Sequence, residues 1–457
     1  MVGAENPVIA PTAVLRRREG TCFYPRATSK NARAQPAPAP AASGGTKEEA
    51  SEARSPQAQR AIRCWHIVAS LGWMKHMADA NPPALLTART FPAGVPTLID
   101  AAAGVKLRAA GSGDLAGMVE QCRDPETIRW TSVPTPDDGY QLRDAAEFLA
   151  VIAAGWTSGE RLSWTIEAHR DSARGFCGSI DLRLEGDGIA EVGFGLHPQA
   201  RGRGMMTAAL RLVCDYGFEV AGLQIIRWRA VVGNWASRRV AANVGFIFDG
   251  TVRCLLAHRG ELLDGWIATL TREDPRVPQP WLQPVELQAA GIRLRAFRTS
   301  DVDRIVEACS DPHTAHWLVS MPRPYQAHNA LAYLDSVREL AARGIGVTWC
   351  MADPADDRCL GSISLDGLHG YARRGEIGYW AHPDARGRGV VSEAVRVVTQ
   401  HARSTGLVRS LIIRCARSNT ASRRVAERAG YTKVGIQPAS EPLGDGQLAD
   451  LVLYSCP

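Results

Sequence analysis

The string His-Pro-x-Ala-Arg-Gly-Arg-Gly occurs twice in this chain, from His197 to Gly204 and from His382 to Gly389. Its chemistry is that of an anion cradle. Gly202 and Gly204, like Gly387 and Gly389, let the backbone approach a ligand closely and take positive φ where needed. Successive N–H groups would then point into the turn, where a following helix adds the positive end of its dipole. Arg201, Arg203, Arg386 and Arg388 supply cationic donors at the rim, and Met205 and Val390 are the first residues after the last glycine. Such a turn suits a pyrophosphate. It is not a dinucleotide fingerprint, because Thr207 or Ser392 stands at the third small position and no Rossmann unit opens the domain. Nor is it a GK[ST] phosphate loop. A lone Gly-Arg-Gly turn is often only punctuation. Here seven of eleven positions agree between Leu196–Met206 and Ala381–Val391, in the same context, which favours a shared ligand.

Two acids stand in the strand before each cradle. Glu191 (in Ala190-Glu191-Val192-Gly193-Phe194) and Glu376 sit among apolar neighbours, and partial burial would raise either carboxyl toward the range of a general base. An ion pair with an arginine such as Arg229 or Arg414 explains them equally well. Asn234 and Asn419 precede Ser237 and Ser422 by three residues at a helix start, where both residue types serve as caps. His197 and His382 each precede proline at a strand-to-turn corner and read as structural or rim residues. Trp130, Trp164, Trp317 and Trp349 recur at matched positions and read as core or pocket wall; Trp130 and Trp317 fall near the expected acceptor entrance.

Positioning these residues is the task of a duplicated unit. Leu107-Arg108-Ala109 recurs as Leu294-Arg295-Ala296 and Asp124-Pro125 as Asp311-Pro312, both offset by 187. Asn234–Phe246 matches Asn419–Tyr431 at eight of thirteen positions. Two copies of one domain follow. Each copy predicts an opening strand (about 105–110 and 291–297), a helix begun at Ser112/Asp114 or Thr299/Asp301, and a second helix (144–154; 329–342). Three strands come next (162–168, 175–184, 191–196; 348–352, 359–365, 376–381). The cradle then leads into a helix with Met206, Leu210 and Val213, or Val391, Val395 and Val398, on one face. A buried strand, a short helix and a hairpin close the unit. The expected fold is α/β, a mixed sheet flanked by helices. Domain 1 is expected over residues 105–275, a proline-rich linker over 276–290, and domain 2 over 291–457.

The chain has 457 residues and a formal net charge of +6, yet residues 1–76 carry 11 Lys/Arg against 5 Asp/Glu and so hold that whole excess. Residues 1–85 read as a disordered, low-complexity basic tail. The stretch from Met77 looks like a normal protein start, so residues 1–76 are expected to be a dispensable tail or an extension from a misplaced start codon. The tail's charges are thinly spread without interleaved aromatics, which argues against a specific nucleic-acid partner. No run of 18 apolar residues occurs, which argues against a membrane-spanning helix. Eleven cysteines without a CxxC pair fit a reducing cytoplasm and no metal site.

The Gln199-x-x-Gly202-x-Gly204 spacing is similar to the Q/R-x-x-G-x-G/A motif of the GNAT acetyltransferase superfamily; in the second copy Asp384 departs from the first motif position. GEIGYWAHPDARGRGVVSEA, AEVGFGLHPQARGRGMMTAA and RGELLDGW (Arg259–Trp266) resemble the RimJ/RimL-type branch, which includes N-terminal acetylases of ribosomal proteins. The resemblance covers residues 105–457. It implies acetyl-CoA as co-substrate, with its pyrophosphate on Gln199, Arg201, Gly202, Arg203, Gly204 and Met205, and on Arg386, Gly387, Arg388, Gly389 and Val390. It implies that Asn234 and Asn419 contact the pantetheine arm, that Glu191 and Glu376 deprotonate an amine, and that Ser237 and Ser422 protonate the CoA thiolate. The acceptor would be a protein N-terminal amine or a small-molecule amine, attacking directly in a ternary complex. The alternative is a two-domain CoA-binding scaffold or sensor with one or both copies inactive. The halves are expected to pack as an intramolecular pseudo-dimer.

Overall fold

The computed structural model describes residues 94–456, apart from 170–174, 319–320 and 369–372. The disordered tail and the alternative start at Met77 lie outside the described residues. The first copy contains β1 (Leu98–Asp100), β2 (Val105–Arg108), α1 (Leu115–Arg123), α2 (Pro125–Trp130), α3 (Leu142–Ser158), β3 (Arg161–Ala168), β4 (Gly178–Gly186) and β5 (Ile189–Leu196). It continues with α4 (Met205–Glu219), β6 (Ile225–Val231), α5 (Trp235–Val244), β7 (Ile247–His258) and β8 (Glu261–Thr271). The second copy opens with β9 (Leu287–Ala289), β10 (Ile292–Arg295), α6 (Val302–Ser310), α7 (Pro312–Trp317), α8 (Ala327–Ala342), β11 (Gly346–Ala352), β12 (Cys359–Asp366) and β13 (Arg374–Ala381). It closes with α9 (Val390–Ser404), β14 (Ser410–Ala416), α10 (Thr420–Arg428), β15 (Thr432–Pro442) and β16 (Leu448–Cys456).

Each copy forms an eight-stranded sheet, in the orders β1-β2-β3-β4-β5-β6-β8-β7 and β9-β10-β11-β12-β13-β14-β16-β15. The strands are antiparallel except for β5–β6 and β13–β14, so the sheets are mixed as expected. Trp164 and Trp349 are the centres of the two cores, and their indole N–H groups donate to Pro96 O and Val285 O at 3.0 and 2.9 Å. The long helix after each cradle buries one face, Met206, Ala209, Leu210 and Val213 on α4, and Ala394, Val395 and Val398 on α9. That spacing is the reason the helix seats on the sheet with its N-terminus held at the strand end.

Two six-residue helices were not expected. α2 and α7 occupy the start of stretches read as acceptor loops. Their cause is local: Asp124 and Asp311 accept the Thr127 and Thr314 N–H groups, each at 2.9 Å, and proline fills the first helical position. The short edge strands β1 and β9 were also missed. The segment between the copies is pinned at both ends: Gln279 N–H donates to Ala242 O, and Leu282 N–H to Ala341 O, each at 2.9 Å.

Candidate functional site

The parallel strand pairs come apart where the chemistry is expected. β5 and β6 are in register from Ile189↔Ile225 to Val192↔Trp228, yet β5 runs on to Leu196 and β6 to Val231. β13 and β14 pair only from Arg374↔Ser410 to Glu376↔Ile412. Beyond these points the facing strand edges do not pair with each other, leaving a slot that an extended amide-bearing chain can enter as a strand would.

The glycine cradle lies at the end of each slot. Gly202 and Gly204 have φ of 75° and 74°, and Gly387 and Gly389 have 74° and 78°. A Cβ added at any of the four would meet nothing within 4 Å, so glycine is required for the left-handed backbone and not for space. Gly204 and Gly389 cap α4 and α9. The Ala208 N–H reaches Gly204 O at 3.2 Å, so the N–H groups of Met205, Met206 and Thr207 precede the first intrahelical donor and stay available to an anion.

Slot and cradle merge into one cleft per half. The first, of 670 Å³, is lined by Phe194, Arg201, Gly202, Gly204, Asn234 and Ser237 among others. The second, of 460 Å³, is lined by the matched Tyr379, Arg386, Gly387, Gly389, Asn419 and Ser422. Met205 and Val390 also line their clefts. Three expected contacts are not brought there. Gln199 and Arg203 line a separate 780 Å³ cavity with His197 and Glu120, and the Arg388 guanidinium lies 3.4 Å from Asp353. Gln199 lies in a 3-10 turn at Pro198–Ala200, capped by the His197 ring. His197 and His382 meet Glu120 and Glu307 at 3.1 and 3.0 Å, in keeping with a structural reading.

The arginines that do line the clefts are engaged as well. Arg201 donates to Asp124 at 2.6 Å and to Thr127 Oγ1 at 2.9 Å. Arg386 bonds Asp311 and reaches Thr314 Oγ1 at 2.6 Å. The Arg386 hydrogen bond holds the Asp311 carboxyl down to about 2. These arginines tie the cradle to the N-terminus of α2 or α7, so the aspartate that caps the helix also fixes the glycine turn. Free cations at the cleft come instead from α5 and α10, through Arg239 and through Arg424 and Arg428, which sequence reasoning did not single out.

Asn234 and Asn419 cap their helices, accepting the Ser237 and Ser422 N–H groups at 3.2 and 3.0 Å. Each serine hydroxyl has a different partner. The Trp228 indole N–H donates to Ser237 Oγ at 3.0 Å, whereas Tyr379 OH lies 3.0 Å from Ser422 Oγ. Burial pushes the Tyr379 phenol up, so it keeps its proton at neutral pH. Tyr379 takes the place of Phe194 and comes from the strand, not from the short helix.

Glu191 and Glu376 stand at the root of the slots, and both are ion-paired. Glu191 is buried between Arg183, at 2.8 Å, and Arg229. Glu376 is more open and accepts from Arg414 Nε at 2.8 Å. Opposite Glu376 in the sheet is Asp366, whose carboxyl is raised by burial, with the Glu376 charge adding to the effect. Arg183 is its counterpart in the first half, so the acid beside Glu376 has no equivalent there. On the acceptor side of the first slot, Arg183 and Arg229 line a 220 Å³ cavity with Trp130 and His258. Away from both clefts, Asp301, Cys350 and Cys359 gather in the second core, with both Asp301 oxygens taken by Arg295 at 2.9 Å.

This arrangement, a glycine cradle beneath two diverging parallel strands, defines a class. Residues 105–247 and 292–432 each match the model of the acetyltransferase (GNAT) domain, and the chain belongs to that family. Among curated relatives, the ribosomal-protein-serine acetyltransferase of Escherichia coli (strain K12) is 31% identical over 100 residues, 22% of this chain and 55% of the relative. The uncharacterized N-acetyltransferase p20 of Bacillus licheniformis is 24% identical over 151 residues, 33% of this chain and 83% of the relative. The chain thus spans about half the length of the first of these. Among solved structures, RimL, a ribosomal L7/L12 alpha-N-protein acetyltransferase in complex with coenzyme A, is 21% identical, covering 38% of this chain and 97% of that one with a TM-score of 0.35.

Proposed function

We propose that the chain is an acetyl-CoA-dependent N-acetyltransferase in which a primary amine attacks the thioester directly in a ternary complex. The observation that carries this reading is the cleft itself, built twice: strands that part beside a helix N-terminus opened by two positive-φ glycines. The pyrophosphate would lie on the N–H groups of Met205–Thr207, or the matched ones after Gly389, and the pantetheine amides would pair with the unpaired strand edge. A strand N–H at the slot would then face the thioester oxygen and stabilise it as charge develops. The amine nitrogen forms its bond to the carbonyl carbon, the C–S bond breaks, and the thiolate leaves. Ser237 or Ser422 donates toward that sulfur, Ser237 with its oxygen held by the Trp228 indole N–H and Ser422 beside the Tyr379 hydroxyl. The amine proton passes to solvent or, in the second half, to the Glu376–Asp366 pair. The family resemblance favours a protein N-terminal amine over a small-molecule amine, in line with the name of the Escherichia coli relative. A cytoplasmic location and a pseudo-dimeric packing of the halves accord with this reading; among the described residues no helix is long and apolar enough to cross a membrane.

A second reading, in which the first copy binds CoA without turnover, is favoured by the two guanidiniums on Glu191. One experiment separates the two. CoA release is followed with a panel of peptide N-termini and small amines for the parent chain, Glu191→Gln and Glu376→Gln. Turnover that falls only in Glu376→Gln assigns catalysis to the second half. Acetyl-CoA binding without turnover on any amine would leave only the scaffold.

A further inference from the structure

The first half's cleft does not close at its own surface. Ala236 and Arg239 of α5 line that cleft, and the same two residues line an apolar groove of 440 Å³ beside it. The groove's opposite wall comes from outside the first domain: Trp281 of the linker, and Leu334 and Arg338 of α8 in the second half. Helical spacing puts Ala236, Arg239, Val240 and Asn243 along one face of α5, with Arg239 on the ridge between cleft and groove. Its guanidinium carbon is 6.0 Å from the centroid of the half-buried Trp281 ring.

A comparison with the second half shows what the groove adds. There α10 directs both Arg424 and Arg428 into its own cleft. The matched positions of α5 are Arg239 and Asn243, so the first half is one cation short. Arg338, which lines the groove opposite and lies 3.4 Å from the exposed Asp335 on its own helix, restores it. The wall that carries Arg338 is fixed by the next residue: Glu339 accepts from the buried Arg238 at 2.5 and 3.1 Å. Arg238 in turn lies over Phe248, 3.6 Å from the ring centroid, and over Trp266 at 4.7 Å. The counterpart, Arg423, stays within its own half, on Tyr454 OH at 3.2 Å.

We infer that the groove is the subsite for the adenosine 3′-phosphate end of CoA bound in the first half, so that the second half completes the first half's cofactor site. The adenine stacks on Trp281 and the 3′-phosphate lies between Arg239 and Arg338. A planar base on an indole face gains stacking that tolerates its exact placement. A phosphate between two guanidiniums gains charge-assisted hydrogen bonds. The second cleft needs no such help. This inference rests on the CoA reading proposed above.

The test uses the full chain with Ser392→Trp, which fills the second cleft at a residue lining it and leaves the first as the site observed. Calorimetric affinities are measured for CoA, dephospho-CoA and 4′-phosphopantetheine. Trp281→Ala is expected to weaken CoA and dephospho-CoA about tenfold and to leave phosphopantetheine unchanged. Trp281→Phe, which keeps an aromatic face, recovers most of the loss. Arg338→Ala weakens CoA several-fold without affecting dephospho-CoA. Equal weakening of all three ligands, or no weakening of CoA, overturns the subsite. Failure of the CoA reading looks different: the parent chain, with both clefts open, then binds none of the three.

Discussion

Replacing Glu339 by alanine should destabilise the chain by about 2 kcal/mol, through a charge pair that joins the two halves. The Arg238 side chain is 4% exposed and that of Glu339 33%, with contacts at 2.5 and 3.1 Å. At that separation the gross attraction is about 5 kcal/mol for an effective dielectric of about 20. Breaking a fully buried pair costs about 3–5 kcal/mol, because the remaining charge is stranded. Two features lower that figure here. Water can reach Arg238 through the space left by the partly exposed Glu339, and the faces of Phe248, Trp266 and Trp235 still hold the guanidinium, worth about 2 kcal/mol when desolvated. A net 2 kcal/mol lowers Tm by about 4–8 °C for a domain of this size. Arg238→Met should cost less, about 1 kcal/mol or under, since methionine fits an aromatic box and Glu339 can turn to water. The double variant should then be no worse than Arg238→Met alone, a coupling of about 2 kcal/mol. Thermal and urea unfolding of the full chain measure all four corners of the cycle. A Glu339→Ala cost within about 0.5 kcal/mol of zero, or strictly additive single costs, would refute the buried-pair argument.

Three further outcomes are expected. With the first cleft filled by Thr207→Trp, Ser422→Ala should lower kcat about a hundredfold with KM for acetyl-CoA little changed, and Tyr379→Phe should fall between it and the parent; steady-state kinetics decide. Gly204→Ala and Gly389→Ala meet no steric clash but must hold a left-handed backbone, so each should cost about 1–2 kcal/mol and weaken CoA binding, read by Tm and calorimetry. Asp366→Asn tests the raised carboxyl. A carboxyl whose folded pKa lies above its unfolded one stabilises the fold most in acid and loses that contribution as pH rises through the folded value. The asparagine variant should therefore gain stability on the parent at pH 8, and the gain should vanish toward pH 4; a gain independent of pH would refute the assignment.

What could be read from the residues in order depended on how far apart the interacting groups lie. The cradle was legible because its glycines, its helix and its strand fall within about a dozen residues, and because duplication marked it twice. The capping roles of Asn234 and Asn419 were legible for the same reason, with the partner three residues on. The tie between Arg201 and Asp124 spans 77 residues, that between Tyr379 and Ser422 spans 43, and that between Arg238 and Glu339 spans 101. Nothing in the local pattern distinguishes these arginines from rim donors; only the folded sheet brings their partners to them. Tyr379 carries no signal in the chain order because it lies on a strand, 43 residues from the serine it meets. Asp366 was missed because a lone acid at a strand end carries no signal until the register places it against Glu376.

The two halves share a backbone, but the charged groups at the root of each slot differ. In the first half Glu191 stands between two guanidiniums, Arg183, shared with Asp181 at 3.3 Å, and Arg229, shared with Glu185 at 3.8 Å. In the second, the position of Arg183 is taken by Asp366, and two carboxyls stand beside the single Arg414. An amine arrives largely as an ammonium ion and must lose a proton before it attacks. A root with two carboxyls draws the cation in and offers a place for the proton, whereas a root whose carboxylate is held by two guanidiniums offers neither. Dispersed surface charge does not act this way, because water and salt screen it; these groups are buried or half-buried, where screening is weak. On the function proposed above, the glycine cradles are alike because both halves would bind the same anion. The slot roots differ where the incoming acceptor would meet them, so an arginine-to-aspartate exchange at that depth would discriminate by the acceptor's charge.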